Sequence, residues 1–165
     1  QPGYELSAHG AADIVNSVKL HDIGKIAIPD NILQKPGRLD PDEFEIIKRH
    51  TRCGADLLSE FISTMGEDSF LNTAYDIALY HHEKWNGQGY PDGLNGDEIP
   101  LSARIAAISD VYDALTSERT YKKSFSHAVA KAILLESSGS HFDPYLIKHF
   151  ERVAPQFESV IFKSS

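Results

Sequence analysis

Cysteine is almost absent from this chain of 165 residues, in which Cys53 is the single thiol. A lone cysteine cannot form an internal disulfide, so the sequence is not that of a small disulfide-stapled secreted domain. Charged residues interrupt every apolar run well before membrane-spanning length, and the first residues do not form a basic and then apolar leader. These absences predict a cytoplasmic domain that makes no membrane contact.

The chain also lacks the excess of positive charge that favours binding to a nucleic-acid polymer. Its formal net charge is -8 at pH 7, which argues against general binding to a nucleic-acid backbone. There are no internal repeats, and a hydrophobic content of 41% fits one soluble domain with a sizeable core. A small anionic substrate is compatible with this charge only where metals or clustered Lys and Arg concentrate positive charge locally.

Helical periodicity dominates the sequence. Apolar residues recur at helical spacing in six stretches, 7–20, 40–61, 67–83, 101–117, 126–136 and 143–150. Residues 26–37 are predicted to form a long connecting loop, and residues 85–96, with their glycines, an exposed loop. Only residues 160–162 have a strand-like pattern. The sequence therefore predicts an all-α fold.

The start of the second helix is the clearest local signal. Asp40 is a favourable N-cap, Pro41 fits the first helical position, and Glu43 completes a capping box. We therefore expect a helix to begin at Pro41.

Four of the predicted helices place polar, metal-ligating residues where their apolar stripes should carry Leu or Val. These residues are His21, Asp22, His50, His81, His82 and Asp110. A buried imidazole or carboxylate is costly without a strong partner, although a core histidine bonded to a carbonyl is the commoner outcome for any one of them. Four such coincidences favour a metal site, with these residues near the core.

The remaining candidates are predicted to stay outside this site. Asp113 is the rival acid to Asp110, and we expect it to be solvated. The other histidines are predicted to be surface or capping residues without a matching partner: His9, His127, His141 and His149.

The donor types indicate which metals and which reaction to expect. Imidazoles and carboxylates without thiolate suit Fe, Mn or Zn. Six ligands exceed the needs of one ion with an open position, so two or more ions fit better, and the Asp22 carboxylate is the natural bridge. Paired ions activate a shared water and clamp a phosphoryl group, which predicts hydrolysis of a phosphate ester. The basic stretch 119–123 reverses the acidic charge of the chain locally.

At this point the motifs match a known family. The series His21-Asp22-Ile-Gly-Lys25, His50, His81-His82-Glu83, Gly89-Tyr90-Pro91, Asp110, Arg119 and Lys122 resembles the HD-GYP subfamily of the HD superfamily of metal phosphohydrolases. The resemblance covers nearly the whole chain. It implies an all-α HD-superfamily helical bundle with a long Gly-rich loop beside the metal site.

The resemblance also implies an activity and a cofactor. Members of this subfamily open cyclic di-GMP to pGpG and often on to GMP, as signalling output domains of larger bacterial proteins. The implied cofactor is two or three divalent metal ions, Fe or Mn foremost, with Zn, Ni, Mg or Co as alternatives. The implied metal ligands are His21, Asp22, His50, His81, His82 and Asp110.

Further roles follow from the resemblance for residues around the metals. Asp22 and Lys25 would be catalytic, with Lys25 beside the scissile phosphate, and Tyr90, Arg119 and Lys122 would bind the substrate. A lysine can present its ammonium to a phosphate oxygen, an arginine can grip a second phosphate, and a tyrosine offers a flat face to guanine. The simpler alternatives are a solvated Lys25, a Tyr90 that anchors its loop, and basic residues that complement a helix dipole.

The chain departs from the subfamily in two respects. Residues 1–165 are expected to form one HD-GYP phosphodiesterase domain that lacks part of the N-terminal helix, from which relatives supply a further histidine and sometimes a glutamate. Asn86 stands where the subfamily usually has Asp. A regulatory domain is expected upstream in the full-length protein.

Two alternative functions remain open from the sequence. One is a catalytically weak module that binds a ligand or, through the Gly-Tyr-Pro loop, a protein with a diguanylate cyclase (GGDEF) domain. The other is a phosphodiesterase for another cyclic dinucleotide such as cyclic GMP-AMP.

Overall fold

Seven α-helices make up most of the chain that the structure describes. The structure is a computed structural model, and it describes residues 4–118 and 124–161. The helices are α1 (Ala8–Ser17), α2 (Asp30–Leu33), α3 (Pro41–Met65), α4 (Ser69–Tyr80), α5 (Leu101–Thr116), α6 (His127–Glu136) and α7 (Pro144–Ile161). Three 3₁₀ turns cover Val18–Leu20, Ile23–Ala27 and Gly96–Glu98. Because isolated bridges are the only β-pairing in the described residues, the all-α prediction is confirmed.

The predicted capping box is present at the start of α3. The Asp40 carboxylate accepts a hydrogen bond from the Glu43 amide, and the Glu43 carboxylate accepts one from the Asp40 amide, both at 2.9 Å. Pro41 occupies the first turn. Side-chain caps also begin three later helices, through Asp68, Ser126 and Asp143. The sequence therefore predicted most helix starts correctly, because caps are local interactions.

The structure corrects four details of the predicted elements. α1 ends at Ser17, because the chain tightens there into the 3₁₀ turn Val18–Leu20. α4 covers only Ser69–Tyr80 of the predicted 67–83, so the His81-His82 pair lies just beyond it. Residues 26–37 contain the short helix α2, which follows Pro29 directly, where the fixed φ of proline is compatible with a helix start. The predicted strand is wrong, since α7 continues through Ile161, and Phe162 lies outside the described residues.

Helix α4 lies at the centre of the bundle. Ala74, Ile77 and Ala78 have no exposed surface, and α4 packs against α1, α3 and α5. A second apolar cluster joins α5, α6 and α7. No helix in the described residues is long and apolar enough to cross a membrane.

Some apolar residues on the predicted stripes are exposed. Val15 of α1 and Phe44 and Phe61 of α3 all keep a large exposed fraction. These two helices lie at the outside of the bundle, so neighbours cover only one edge of each stripe.

A pair of glycines brings the 3₁₀ turn Ile23–Ala27 against α3. A Cβ atom on Gly24 would lie 1.9 Å from the His50 carbonyl oxygen and 2.4 Å from the Gly54 amide nitrogen. No side chain fits between these backbones. The close approach places His21 and Asp22, which directly precede this turn, beside His50.

We expect Gly24→Ala to destabilise the fold. The new methyl group overlaps backbone atoms that cannot move independently, so the cost should reach or exceed the roughly 1–3 kcal/mol that is typical of overpacking. Thermal unfolding should show a clearly lower Tm. Gly10→Ala is the matched control. Gly10 lies within α1, where alanine is favoured, and its Cβ would lie 3.4 Å from the nearest atom, Ser7 Oγ. Equal Tm values for the two variants would contradict the packing argument.

Candidate metal centre

The predicted site residues converge on one cluster. His21 and Asp22 follow the first 3₁₀ turn, and Asp110 comes from α5. The His21 Nε2 atom lies 3.1 Å from Asp22 Oδ2 and 3.6 Å from Asp110 Oδ1. Asp22 Oδ1 lies 3.4 Å from Nε2 of His50, which comes from the middle of α3. Three separate segments of the chain therefore meet around the His21-Asp22 pair.

The two histidines after α4 complete the cluster. The ring centroids of His81 and His82 are 4.0 Å apart, and both rings contact His50, with centroid distances of 5.5 and 5.1 Å. His81 also contacts His21, at 5.1 Å. The structure thus brings together all six residues that the sequence nominated as metal ligands.

The expectation that these residues lie in the core is only partly right. His50 and His81 are 1% exposed, but the side chains of His21, Asp22 and Asp110 are 24%, 32% and 27% exposed. The cluster is therefore closed on its histidine side and open to solvent on its carboxylate side. A helical period identifies the inward face of a helix, but it does not show where neighbouring helices leave an opening.

The hydrogen bonds of three histidines orient their rings toward the centre of the cluster. Nδ1 of His21, His50 and His81 lies 2.7, 2.7 and 2.9 Å from the carbonyl oxygen of a residue three or four positions earlier. A carbonyl oxygen can only accept, so Nδ1 must donate its proton. In the neutral ring Nε2 then keeps its lone pair, which is the arrangement that metal-binding histidines use.

Several of the inward-pointing atoms lack a hydrogen-bond partner. Within the part of the chain that the structure describes, Asp22 Oδ1, His50 Nε2 and His81 Nε2 are buried and accept no hydrogen bond. Lone pairs that face each other in a buried site are costly, and a cation satisfies them all at once. Two groups of donor atoms lie within 4.8 Å of one another: His50 with His81 and His82, and His21 with Asp22 and His81. The residues therefore fit divalent metal ions.

Electrostatics divides the site into neutral and charged parts. Burial lowers the pKa of His81 to about 4 and the pKa of His82 to about 3, so both rings are neutral at pH 7. Hydrogen bonds to Asp110 and Asp22 raise the pKa of His21 to about 10. Burial opposes ionisation of Asp22, but hydrogen bonds from His21 and Lys25 hold its pKa below the usual range. A divalent ion would thus compete with a proton on His21.

The residues that were expected to act on the substrate fall into three different situations. Lys25 Nζ donates to Asp22 Oδ2 at 2.5 Å and its side chain is 41% exposed, so it lies at the open edge of the cluster rather than free in solvent. The Tyr90 ring stacks on His82, with centroids 4.8 Å apart and planes at 29°, so one of its faces is already covered. Arg119 and Lys122 lie outside the described residues.

Glu83 holds the Gly-rich loop against the site. Its carboxylate is 2% exposed and accepts hydrogen bonds from the amides of Asp92, Gly93 and Leu94 at 2.7, 3.0 and 3.1 Å. The loop was predicted to be exposed and tied to the histidine pair: the residues 85–96 are exposed or half-buried, with none fully buried, and the loop lies against the site. Glu83 had no predicted role. The available signal was an acid directly before a glycine-rich segment whose amides need acceptors.

Replacing Glu83 by glutamine should loosen this loop. The glutamine amide can accept fewer of the three hydrogen bonds, and unsatisfied buried amides cost about 1–3 kcal/mol. We expect a lower free energy of unfolding and faster proteolysis within residues 86–96. The exposed Glu151→Gln is the control, and protease protection equal to the parent protein would show that Glu83 does not hold the loop.

The residues that were predicted to stay outside the metal site are considered next, beginning with the histidines. His127 is not without a partner, because its Nδ1 lies 2.7 Å from the Tyr112 hydroxyl. His141 is half buried and its ring stacks on Phe142, with centroids 4.2 Å apart. Asp113 is exposed, as predicted. His9 and His149 are exposed as predicted, but His9 is not without a partner, because its Nε2 lies 3.0 Å from Ser69 Oγ.

Comparison with known proteins agrees with the geometry. The sequence profile of the HD domain family matches residues 6–146. A cyclic di-GMP phosphodiesterase of Vibrio cholerae is 50% identical over 147 residues, which are 89% of this chain and 30% of that protein. The 3'3'-cGAMP-specific phosphodiesterase 2 of the same organism is 43% identical over 145 residues, 88% of this chain and 27% of that protein. The chain thus spans about a third or less of the length of these relatives.

A solved structure supports the fold. The crystal structure of the cyclic GMP-AMP-specific phosphodiesterase V-cGAP3 of V. cholerae aligns with 95% of this chain and 42% of its own, with a TM-score of 0.60 and 22% identity. From the family profile, the motifs and these relatives, the chain belongs to the HD domain family and, within it, to the HD-GYP group. HD domain phosphohydrolases are metal-dependent enzymes.

Proposed function

We propose that this chain is a metal-dependent phosphodiesterase that hydrolyses cyclic di-GMP, with pGpG or GMP as the end product. The observation that carries the proposal is the convergence of unpaired lone pairs from His50, His81 and Asp22 beside the ammonium group of Lys25. Such a set suits divalent cations next to a phosphate group. The activity of the V. cholerae relative, a cyclic di-GMP phosphodiesterase, supports the substrate class.

The proposed cofactor is two or three divalent ions, Fe or Mn foremost. The residues that would hold it are His21, Asp22, His50, His81, His82 and Asp110. Ions bound here would lower the pKa of a water molecule and neutralise charge on the phosphate. Asp22 has one oxygen toward His50 and the other toward His21, which suits the bridging role.

The remaining residues of the site would act on the substrate directly. Lys25 lies at the open, carboxylate side, where its charge can stabilise a non-bridging oxygen of the reacting phosphate. Arg119 and Lys122 are proposed to hold the second phosphate, and Tyr90 to support a guanine. In a chain of net charge -8, these cations and the metals would supply the positive field that the substrate needs.

The decisive experiment is product analysis. Protein loaded with Mn²⁺ or Fe²⁺ is incubated with cyclic di-GMP, and the products are separated by chromatography while bound metal is measured by elemental analysis. Two or more metal equivalents together with pGpG or GMP are expected. Absence of product from metal-loaded protein would favour the alternative of a catalytically weak binding module.

A second substrate has specific support. The cGAMP-specific relative is 43% identical to this chain, so cyclic GMP-AMP is the alternative substrate. The same assay with both dinucleotides decides between them through the ratio of their kcat/KM values.

The motif resemblance also suggests partners. We propose that the Gly-Tyr-Pro loop contacts a GGDEF-domain protein and that a regulatory domain precedes this domain in the full-length protein. A binding assay with a purified GGDEF domain tests the first proposal, with Gln88→Ala, a change at an exposed residue of that loop, as the variant that should weaken binding.

A further inference from the structure

A pocket of about 190 Å³ lies on α3, next to the metal cluster. Its wall consists of Tyr90 and Pro91 from the loop and of four charged residues of α3: Glu45, Lys48, Arg49 and Arg52. We call it the α3 pocket. Tyr90 is shared between the two sites, because its ring also stacks on His82. The metal cluster and the α3 pocket therefore lie on either side of Tyr90.

The charged residues of the α3 pocket are not equally available. Arg52 is paired with Asp92 at 2.5 Å, and Lys48 is paired with Glu45 at 2.5 Å. The Lys48 ammonium also lies 5.6 Å from the centre of the Tyr90 ring. Arg49 is exposed, and among the described residues its guanidinium has no ion-pair or hydrogen-bond partner. The free donor fork in the pocket is therefore that of Arg49.

The combination of groups is more suitable for a guanine base than for a second phosphate. A guanidinium can donate two hydrogen bonds to guanine O6 and N7, and a carboxylate can accept from the N–H groups on the opposite edge. The Glu45 carboxylate would repel a phosphate, and only one of its oxygens is used by Lys48. A flat wall formed by Tyr90 and Pro91 suits a base. Adenine lacks both the O6 acceptor and the N1–H donor.

We propose that the α3 pocket binds a guanine of the substrate and that Arg49 reads its O6 and N7 atoms. This inference rests on the proposed phosphodiesterase function and deepens it. It accounts for one pocket that serves either cyclic di-GMP or cyclic GMP-AMP, since both contain a guanine. It predicts a lower kcat/KM for cyclic di-AMP, which contains none.

The test compares substrates that differ only in their bases. For the metal-loaded protein, kcat/KM is measured with cyclic di-GMP and with cyclic di-AMP, in the parent chain, Arg49→Ala, Arg49→Lys and the exposed control Arg152→Ala. We expect the parent to prefer cyclic di-GMP. Arg49→Ala should lower its kcat/KM for cyclic di-GMP about 5–100-fold, the range for losing a bidentate base contact, and leave that for cyclic di-AMP unchanged. Arg49→Lys should resemble the alanine variant, because a lysine lacks the fork.

A binding measurement separates this inference from the proposed function. By calorimetry, GMP should bind the parent chain more tightly than AMP does, and Arg49→Ala should remove that difference whether or not the protein hydrolyses a dinucleotide. Equal binding of GMP and AMP by the parent would overturn the inference, even if cyclic di-GMP is hydrolysed. An equal loss of kcat/KM for both dinucleotides in Arg49→Ala would also overturn it, because that result indicates a phosphate contact.

Discussion

Replacing Asp22 by alanine is expected to abolish phosphodiesterase activity and to lower the metal content. Asp22 touches both halves of the cluster, since its Oδ2 lies 3.1 Å from His21 Nε2 and its Oδ1 lies 3.4 Å from His50 Nε2. Loss of a residue that merely orients a metal ligand typically costs about 10–100-fold in affinity or activity, so loss of a bridging ligand should cost more. We therefore expect kcat/KM to fall by at least about 100-fold.

Elemental analysis and steady-state kinetics on the same preparations check this prediction. Asp113→Ala is the matched control, because it removes an exposed carboxylate from the same end of α5 that carries Asp110. It should keep both metal and activity. Full metal occupancy in the Asp22→Ala variant would show that the bridge assignment is wrong. A circular dichroism spectrum equal to the parent's would establish that the variant is folded.

Replacing Lys25 by alanine should reduce kcat more than it changes KM. Its ammonium lies 2.5 Å from Asp22 Oδ2 at the solvent-exposed edge of the cluster, where it can approach the reacting phosphate. A group that stabilises charge developing in the transition state contributes mainly to kcat, typically about 10²–10³-fold for one donor. Metal content should be unchanged, because lysine is not among the ligands. The kinetic constants of the metal-loaded variant provide the measurement.

Arg119 and Lys122 should show a different kinetic effect from Lys25, because they are proposed to hold the part of the substrate that does not react. Their alanine variants should raise KM several-fold with a smaller effect on kcat. If Arg119→Ala leaves KM unchanged and Lys25→Ala leaves kcat unchanged, the assignment of the basic residues fails.

Much of the local structure could be predicted from the sequence because its causes are local. The capping box at Asp40 fixed the start of α3, and single polar residues at Ser126 and Asp143 marked two later helices. The 3.6-residue period placed His50 and Asp110 correctly within α3 and α5. The other four nominated residues lie just beyond the ends of α1 and α4, past the point where the helical period applies. Helix ends were less predictable. Whether the chain continues as α-helix or tightens to 3₁₀, as it does after Ser17, depends on neighbours that are distant in sequence.

The candidate ligands could therefore be named from the sequence, whereas their positions, orientations and exposure to solvent were decided by the tertiary structure. No local pattern shows that Gly24 must be bare so that its turn can lie against α3. The acid at position 83 was a visible signal, but only the folded loop shows which three amides, nine to eleven residues later, donate to it. The orientation of the histidine rings, the opening on the carboxylate side and the pocket beside Tyr90 likewise arise only when the helices pack. The physical reason is that composition and period determine which face of a helix turns inward, but only the contacts between helices determine what that face meets.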